Sequence, residues 1–193
     1  SQFSQEIRYA ADISDRLDFI IGGFYLDAEQ GVIERREFSG LTAGRDHFDF
    51  NYIQSDWTQD VKSTALFGNI RWGFTDTLTL NAGIRYSREE KDLNITLLTP
   101  CSGPGFSGCS TDKTDLGEEW SNTSPRVALE YRPNDDLMFW GSWTRGFRSG
   151  NYNARAPSIA AVGPADPEQA DQIEIGMKGD FADGRLRANI TGF

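Results

Sequence analysis

Apolar and polar residues alternate with a period of two through most of the chain, and the alternation stops and restarts at regular intervals. Residues 3–11 put Ile7 and Tyr9 on one face and Glu6 and Arg8 on the other. After a turn at 13–16, residues 17–29 carry Phe19, Ile21, Gly23 and Tyr25 together. Residues 57–74 set Leu66, Gly68, Ile70 and Trp72 against Phe67, Asn69 and Arg71. A turn at 75–77 leads into 78–93, where Leu78, Leu80, Ala82, Ile84 and Tyr86 oppose Thr79, Asn81, Arg85 and Ser87. Further strands are predicted over 120–131, 137–148, 172–181 and 185–193, with short turns at 132–136 and 182–184. Three stretches without the rhythm, at about 30–56, 94–117 and 149–168, read as long loops.

The fold class is therefore all-β, with about eight strands in four tight hairpins and the long loops on the opposite side. The predicted strands run roughly nine to seventeen residues, against ~5–6 in ordinary sheets. About 9–11 tilted residues cross a bilayer, and short turns at one rim with long loops at the other is the asymmetry of outer-membrane barrels. Aromatic residues fall near both strand ends. Phe19, Trp72, Phe74, Tyr131, Phe139 and Phe181 lie by the short turns; Tyr25, Trp57, Tyr86, Trp120, Trp143 and Phe147 lie by the long loops. On one face Phe139 and Phe147 stand ~21 Å apart in height, at ~3.4 Å per residue and ~40° of tilt, close to the ~25 Å apolar band of such barrels. On this reading small and aliphatic residues meet lipid, while Glu6, Arg8, Arg85, Arg126, Glu130, Glu174, Lys178 and Arg187 line the interior. In 137–148 Met138 and Trp140 break the alternation, so the interior side is expected to be partly apolar there.

Composition narrows the alternatives. With 38% hydrophobic residues but 13 Phe, 6 Tyr and 5 Trp, the 193-residue chain is too aromatic for a disordered one. No apolar run approaches the ~18–20 residues of a membrane helix. A balance of 19 basic and 29 acidic residues, net −10, argues against nucleic acid as partner. Cys101 and Cys109 enclose a Gly- and Pro-rich stretch and read as a local disulfide, which implies an oxidising compartment. No leader-like segment opens the chain, so an export signal is expected to have been removed or not included.

The segments Phe3-Ser-Gln-Glu-Ile-Arg, Leu17-Asp-Phe-Ile-Ile-Gly-Gly-Phe-Tyr and Leu80-Asn-Ala-Gly-Ile-Arg-Tyr-Ser resemble barrel strands of TonB-dependent outer-membrane receptors. So do Ser124-Pro-Arg-Val-Ala-Leu-Glu-Tyr, Arg145-Gly-Phe-Arg-Ser-Gly-Asn-Tyr-Asn and Pro167-Glu-Gln-Ala-Asp-Gln-Ile-Glu-Ile-Gly-Met-Lys, in the order the family has them. The resemblance implies a barrel of 22 strands plugged by an N-terminal domain in a Gram-negative outer membrane. It further implies energised uptake of a scarce ligand such as an iron–siderophore complex, with the TonB complex, the bilayer and lipopolysaccharide as partners. Residues 1–193 would form a central part of that barrel, because the tight turns leave both ends of the eight strands on the long-loop side. The plug and the N-terminal box that meets TonB lie outside this sequence.

Candidate ligand contacts are Arg145, Phe147, Arg148, Tyr152 and Arg155 around the end of 137–148, and Arg45, Tyr52 and Trp57 around the first long stretch. Guanidinium groups beside aromatic rings suit an anionic chelate; the other reading is a rim that shapes the wall or meets the plug. His47 is the lone histidine and is expected to be solvated, as are Asp112, Asp115, Glu118 and Glu119, so no metal site or cofactor is expected. No nucleophile motif, phosphate loop or spaced carboxylate pair points to an enzyme. A passive porin and, further off, a soluble secreted β-rich binding module are the competing readings.

Overall fold

The computed structural model describes residues 1–41, 48–99 and 110–193, with side chains described outside 37–52 and 99–109. The described residues form eight strands: β1 (Gln2–Ser14), β2 (Leu17–Leu41), β3 (Phe48–Gly73), β4 (Leu78–Thr99), β5 (Ser110–Asn134), β6 (Leu137–Arg148), β7 (Glu168–Phe181) and β8 (Leu186–Gly192). They form one sheet in the order β1 to β8, every neighbour antiparallel, the up-and-down topology expected from the hairpin pattern. The short turns follow from local chemistry. Thr75 Oγ1 accepts the backbone N–H groups of Thr77 (3.3 Å) and Leu78 (3.1 Å), and Asn134 Oδ1 accepts that of Asp136 at 3.1 Å. In the β7–β8 turn Ala182 and Asp183 have φ of 56° and 55°, and Gly184 follows at 79°. Positive φ at successive turn positions matches the right-handed twist of the strands it joins.

The register carries one set of residues across the whole sheet. Tyr9 opposes Ile21, Ile21 opposes Gly68, Gly68 opposes Ile84, and further along Ala82 opposes Val127, Val127 opposes Trp143 and Trp143 opposes Ile173. This first face is apolar and open: Ile7, Leu66, Ile84, Ile175 and Ile190 are all more than half exposed. A soluble sandwich would cover such a face, whereas a barrel turns it to hydrocarbon. The second face carries Arg8, Phe67, Arg85 and Arg126.

Two of the three predicted long loops are not loops. β2 and β3 continue as a ladder up to Leu41↔Phe48, and β4 and β5 up to Thr99↔Ser110. The period of two persists there but changes face. Up to Tyr25, Leu66 and Tyr86 the apolar residues are on the first face; beyond, Leu26, Val32, Val61, Trp57, Leu93, Ile95, Leu97, Leu116 and Trp120 are on the second. Asp27, Glu29, Asp60, Lys62, Arg88 and Glu90 then occupy the first face. Among the described residues the register shifts only near the short turns, at Asp12/Ser14 and Tyr131/Asn134, so the switch is in the sequence and not in a bulge. The third stretch is irregular as expected, with one 3-10 turn at Ile159–Ala161 and a bridge between Asn151 and Ala165.

The buried core is accordingly off-centre. Leu93, Ile95, Tyr152, Ala156 and Val162 form it, with Trp57, Leu116, Trp120, Ala154 and Ile159 packed around it. It is the second face of the extended β3–β5 strands, covered by the segment that leaves β6. Trp57 and Trp120, expected among the aromatics of the upper rim, belong to this core and face away from Tyr25, Tyr86 and Trp143.

Candidate functional site

In the lower part of the sheet the second face is a wall of charged and polar groups. Glu6, Arg8, Arg85, Arg126, Glu130, Glu174, Lys178 and Arg187 all have the register of this face. Gly22 is the reason its centre is flat: a Cβ there would stand 2.4 Å from the Phe67 ring, which lies across the strand. The Arg85 guanidinium lies 5.5 Å from the Phe24 ring centre and 5.7 Å from that of Phe67, and Arg8 approaches Phe67 from the other side at 6.0 Å. Arg85 Nε donates to Ser87 Oγ at 3.0 Å, and Arg8 pairs with Glu6. Glu130 accepts from Asn81 (3.1 Å) and Arg132 (2.8 Å), and Arg187 holds Asp180 through Nε and Nη2 at 2.6 and 3.1 Å. Trp140 breaks the polar pattern by lying over Gly176, where a Cβ would be 2.5 Å from its indole nitrogen.

Above this wall the β6–β7 segment is fastened to the extended strands. Lys91, its side chain 12% exposed, donates to the Gly150 carbonyl at 2.9 Å, pairs with Glu89 at 3.0 Å and lies 5.7 Å over the Trp120 ring. Ser149 bonds Glu89, Tyr152 O–H donates to the Lys91 carbonyl at 3.3 Å, and Gln59 donates to Asn151 at 3.1 Å. Further out Arg155 Nε donates to Glu34 Oε2 at 2.8 Å. Burial pushes the Tyr152 phenol above its ordinary value, and the charges of Glu118 and Asp92 add to the shift. The arrangement holds polar and aromatic groups in place; it offers no nucleophile–base pair, and among the described residues no group of acidic, His or Cys side chains could hold a metal ion.

A family model for the β-barrel of TonB-dependent receptor-like proteins matches residues 3–193. The chain belongs to the TonB-dependent receptor β-barrel family. Members of this family are transporters of Gram-negative outer membranes, not enzymes. Solved receptor barrels share the fold. The ferric yersiniabactin uptake receptor FyuA from Yersinia pestis superposes with a TM-score of 0.63 at 16% identity, over 94% of this chain and 26% of that one. The ferric-catecholate import receptor Fiu from E. coli K12, in its closed form, gives 0.51 at 13% identity, over 98% of this chain and 40% of that one. The chain thus spans well under half the length of either receptor.

Within this receptor barrel the predicted ligand contacts are not brought together. Arg145 and Phe147 share the first face, the apolar one, while Arg148 has the opposite register. Arg145 is held by Asp171 through Nε and Nη2, both at 2.9 Å, with Trp143 Nε1 donating to the same carboxylate at 3.2 Å. Arg148 is largely exposed, 3.8 Å from Glu168. Tyr152 and Trp57 are packing residues of the upper core, and Arg155 is spent on Glu34. Asp112 and Glu118 fall on one face of β5 and Asp115 and Glu119 on the other. Glu119 instead accepts from Arg88 and raises that guanidinium above its ordinary value. Arg45, His47, Cys101 and Cys109 lie outside the described residues, as does the Tyr52 side chain. Sequence reasoning missed Glu34, Glu89, Lys91 and Val162. The available signal was the face switch at Tyr86/Arg88, which places Leu93, Ile95 and Leu97 in a new apolar row.

Proposed function

We propose that this chain is one section of a larger receptor barrel, of about 22 strands, that imports a scarce ligand across a Gram-negative outer membrane at the expense of TonB-delivered energy. The ligand class favoured is an iron–siderophore complex, since the receptors it superposes on are described as ferric yersiniabactin and ferric-catecholate importers. The single observation that supports the reading is the family match over residues 3–193. The sheet adds a physical reason: one continuous face suits hydrocarbon and the other suits a wet interior.

On this reading the first face meets lipid, and the wall from Glu6 and Arg8 to Arg187 lines the lumen, where it contacts a plug domain encoded elsewhere in the polypeptide. The extended β2–β5 strands and the segment fastened to them stand outside the cell, at the mouth. The test is uptake of iron-55 from a panel of ferric chelates by iron-starved cells carrying the full-length gene, with and without TonB. Uptake of at least one chelate that vanishes without TonB is expected. Uptake that persists without TonB, in proportion to external concentration, would make the protein a passive porin.

A further inference from the structure

Four arginines of the lower wall hold a carboxylate of the sheet itself: Arg8 pairs with Glu6, Arg71 with Asp18, Arg132 with Glu130 and Arg187 with Asp180. Among the described residues Arg85 and Arg126 hold none. Arg85 Nε donates to Ser87 Oγ, and the guanidinium meets the rings of Phe24 and Phe67, which leaves both Nη groups without an acceptor. Those rings belong to β2 and β3, so the side chain leans across β3 and is braced there, with Phe67 itself pinned over Gly22. Arg126 stands one diagonal step from Arg85 on β5, opposite Gly83 and Thr144, neither of which can neutralise it. Arg126 is exposed and Arg85 half-buried, so both are open to a partner from outside the sheet.

Their level decides what that partner is. Arg85 lies between Ile84 and Tyr86, and Arg126 between Pro125 and Val127, so both stand behind the apolar row of the first face and below the face switch. They are inside the barrel and not at its mouth. The chain spans 26% and 40% of the two receptor chains, so a polypeptide of that length has much left to fill the space against this wall. A guanidinium covered by another domain loses its water, and without a carboxylate that loss is not made good. We propose that Arg85 and Arg126 are anchor points for acidic side chains of the plug domain, an Asp or Glu taking the two Nη groups of Arg85 and another carboxylate meeting Arg126. The inference rests on the reading that this face lines a plugged lumen. It adds the place and the sign of the contact: negative plug groups against β4 and β5.

Carbodiimide coupling tests this, because it joins an amine to a carboxylate only where the two touch. Arg85→Lys and Arg126→Lys keep the charge and supply the amine in the full-length protein in detergent micelles, and the digest is read by mass spectrometry. Arg132→Lys, placed beside Glu130, is the control for the reaction. An amide from position 85 or 126 to an Asp or Glu of the plug sequence is expected, and it should be lost when that residue is replaced by its amide. With the control coupled, no link from either position, or links to barrel carboxylates alone, would overturn the anchors. Limited proteolysis of the same protein separates the two ideas. A protected plug without these links removes the anchors and leaves the transporter reading standing, whereas no protected domain inside the barrel removes both.

Discussion

Arginine substitutions along β7 separate the two faces and measure depth at the same time. On the first face Ile173, Ile175, Met177, Gly179 and Phe181 follow one another, while Glu174 and Lys178 belong to the second. The apolar row spans eight residues, ~21 Å of height at ~3.4 Å per residue and ~40° of tilt, and is centred on Met177; the paired Arg145 and Asp171, next on the same face beyond Trp143 and Ile173, set its upper limit there and not at Phe147 as the sequence suggested. An arginine on the lipid face costs about 2–4 kcal/mol at the midplane and about 0–1 kcal/mol at the interfaces. With a linear fall between them, Met177→Arg should cost about 2–4 kcal/mol, Ile175→Arg, ~5 Å from centre, about 1–2.5, and Ile173→Arg less than about 1. For Ile175→Arg that is a roughly 5- to 70-fold loss in folding equilibrium. Glu174→Arg, which gives up one bond from Gln172, should stay within about 0.5 kcal/mol. The assay is reversible guanidinium unfolding of the full-length protein from liposomes, read by tryptophan fluorescence. Equal costs at positions 174 and 175, or no gradient across 173, 175 and 177, would refute the assignment of the faces.

Three further outcomes are expected around the mouth. Ile95→Ala empties a position that is 1% exposed, so the upper core should lose about 2–5 kcal/mol, seen as faster proteolytic cutting within residues 149–165 while the barrel stays intact. Gly150→Ala would put a Cβ 2.4 Å from the Ala165 carbonyl and 2.5 Å from the Trp120 ring; about 1–3 kcal/mol of strain should undock the same segment, read as quicker amide exchange there. Raising the pH should loosen the segment through Tyr152. Its folded value is raised by burial, so its contribution is complete below the ordinary value near 10 and is lost as pH climbs through the folded value. Protease sensitivity of the segment should therefore rise above about pH 10 in the native protein and show a weaker rise in Tyr152→Phe.

The strands, their order and the two-faced character could be read from the chain because each depends on neighbours two residues away. Tyr9, Ile21, Ile84, Val127 and Ile173 obey one rule, and hairpins with short turns pair in only one way. The extended strands were hidden for a specific reason. A test for period two that fixes the apolar face at Leu78–Tyr86 finds Arg88, Glu90 and Asp92 where apolar residues should be and carries the strand no further than about residue 93. The mouth contacts were hidden for another. Lys91 with Gly150, Tyr152 with the Lys91 carbonyl, and Arg155 with Glu34 join positions 59 to 121 residues apart, and no local pattern marks either partner. Arg145, Phe147 and Arg148 divide between the two faces because closeness in sequence along a strand is separation in space by face.

The face switch also explains why a loop had to become a wall. On the proposed reading the sheet below Tyr25 and Tyr86 has hydrocarbon on one side and water on the other, and one apolar face satisfies it. Above them both sides are wet, so the extended strands can keep an apolar row only by supplying their own cover. Leu93, Ile95 and Leu97 are 2% exposed or less, and for Leu93 and Ile95 the cover includes Tyr152, Ala156 and Val162. On that reading the height at which the apolar row changes sides marks where the bilayer ends. The segment after β6 is bound to that boundary, since without it the extended strands would expose a hydrophobic stripe to solvent on the side of the mouth.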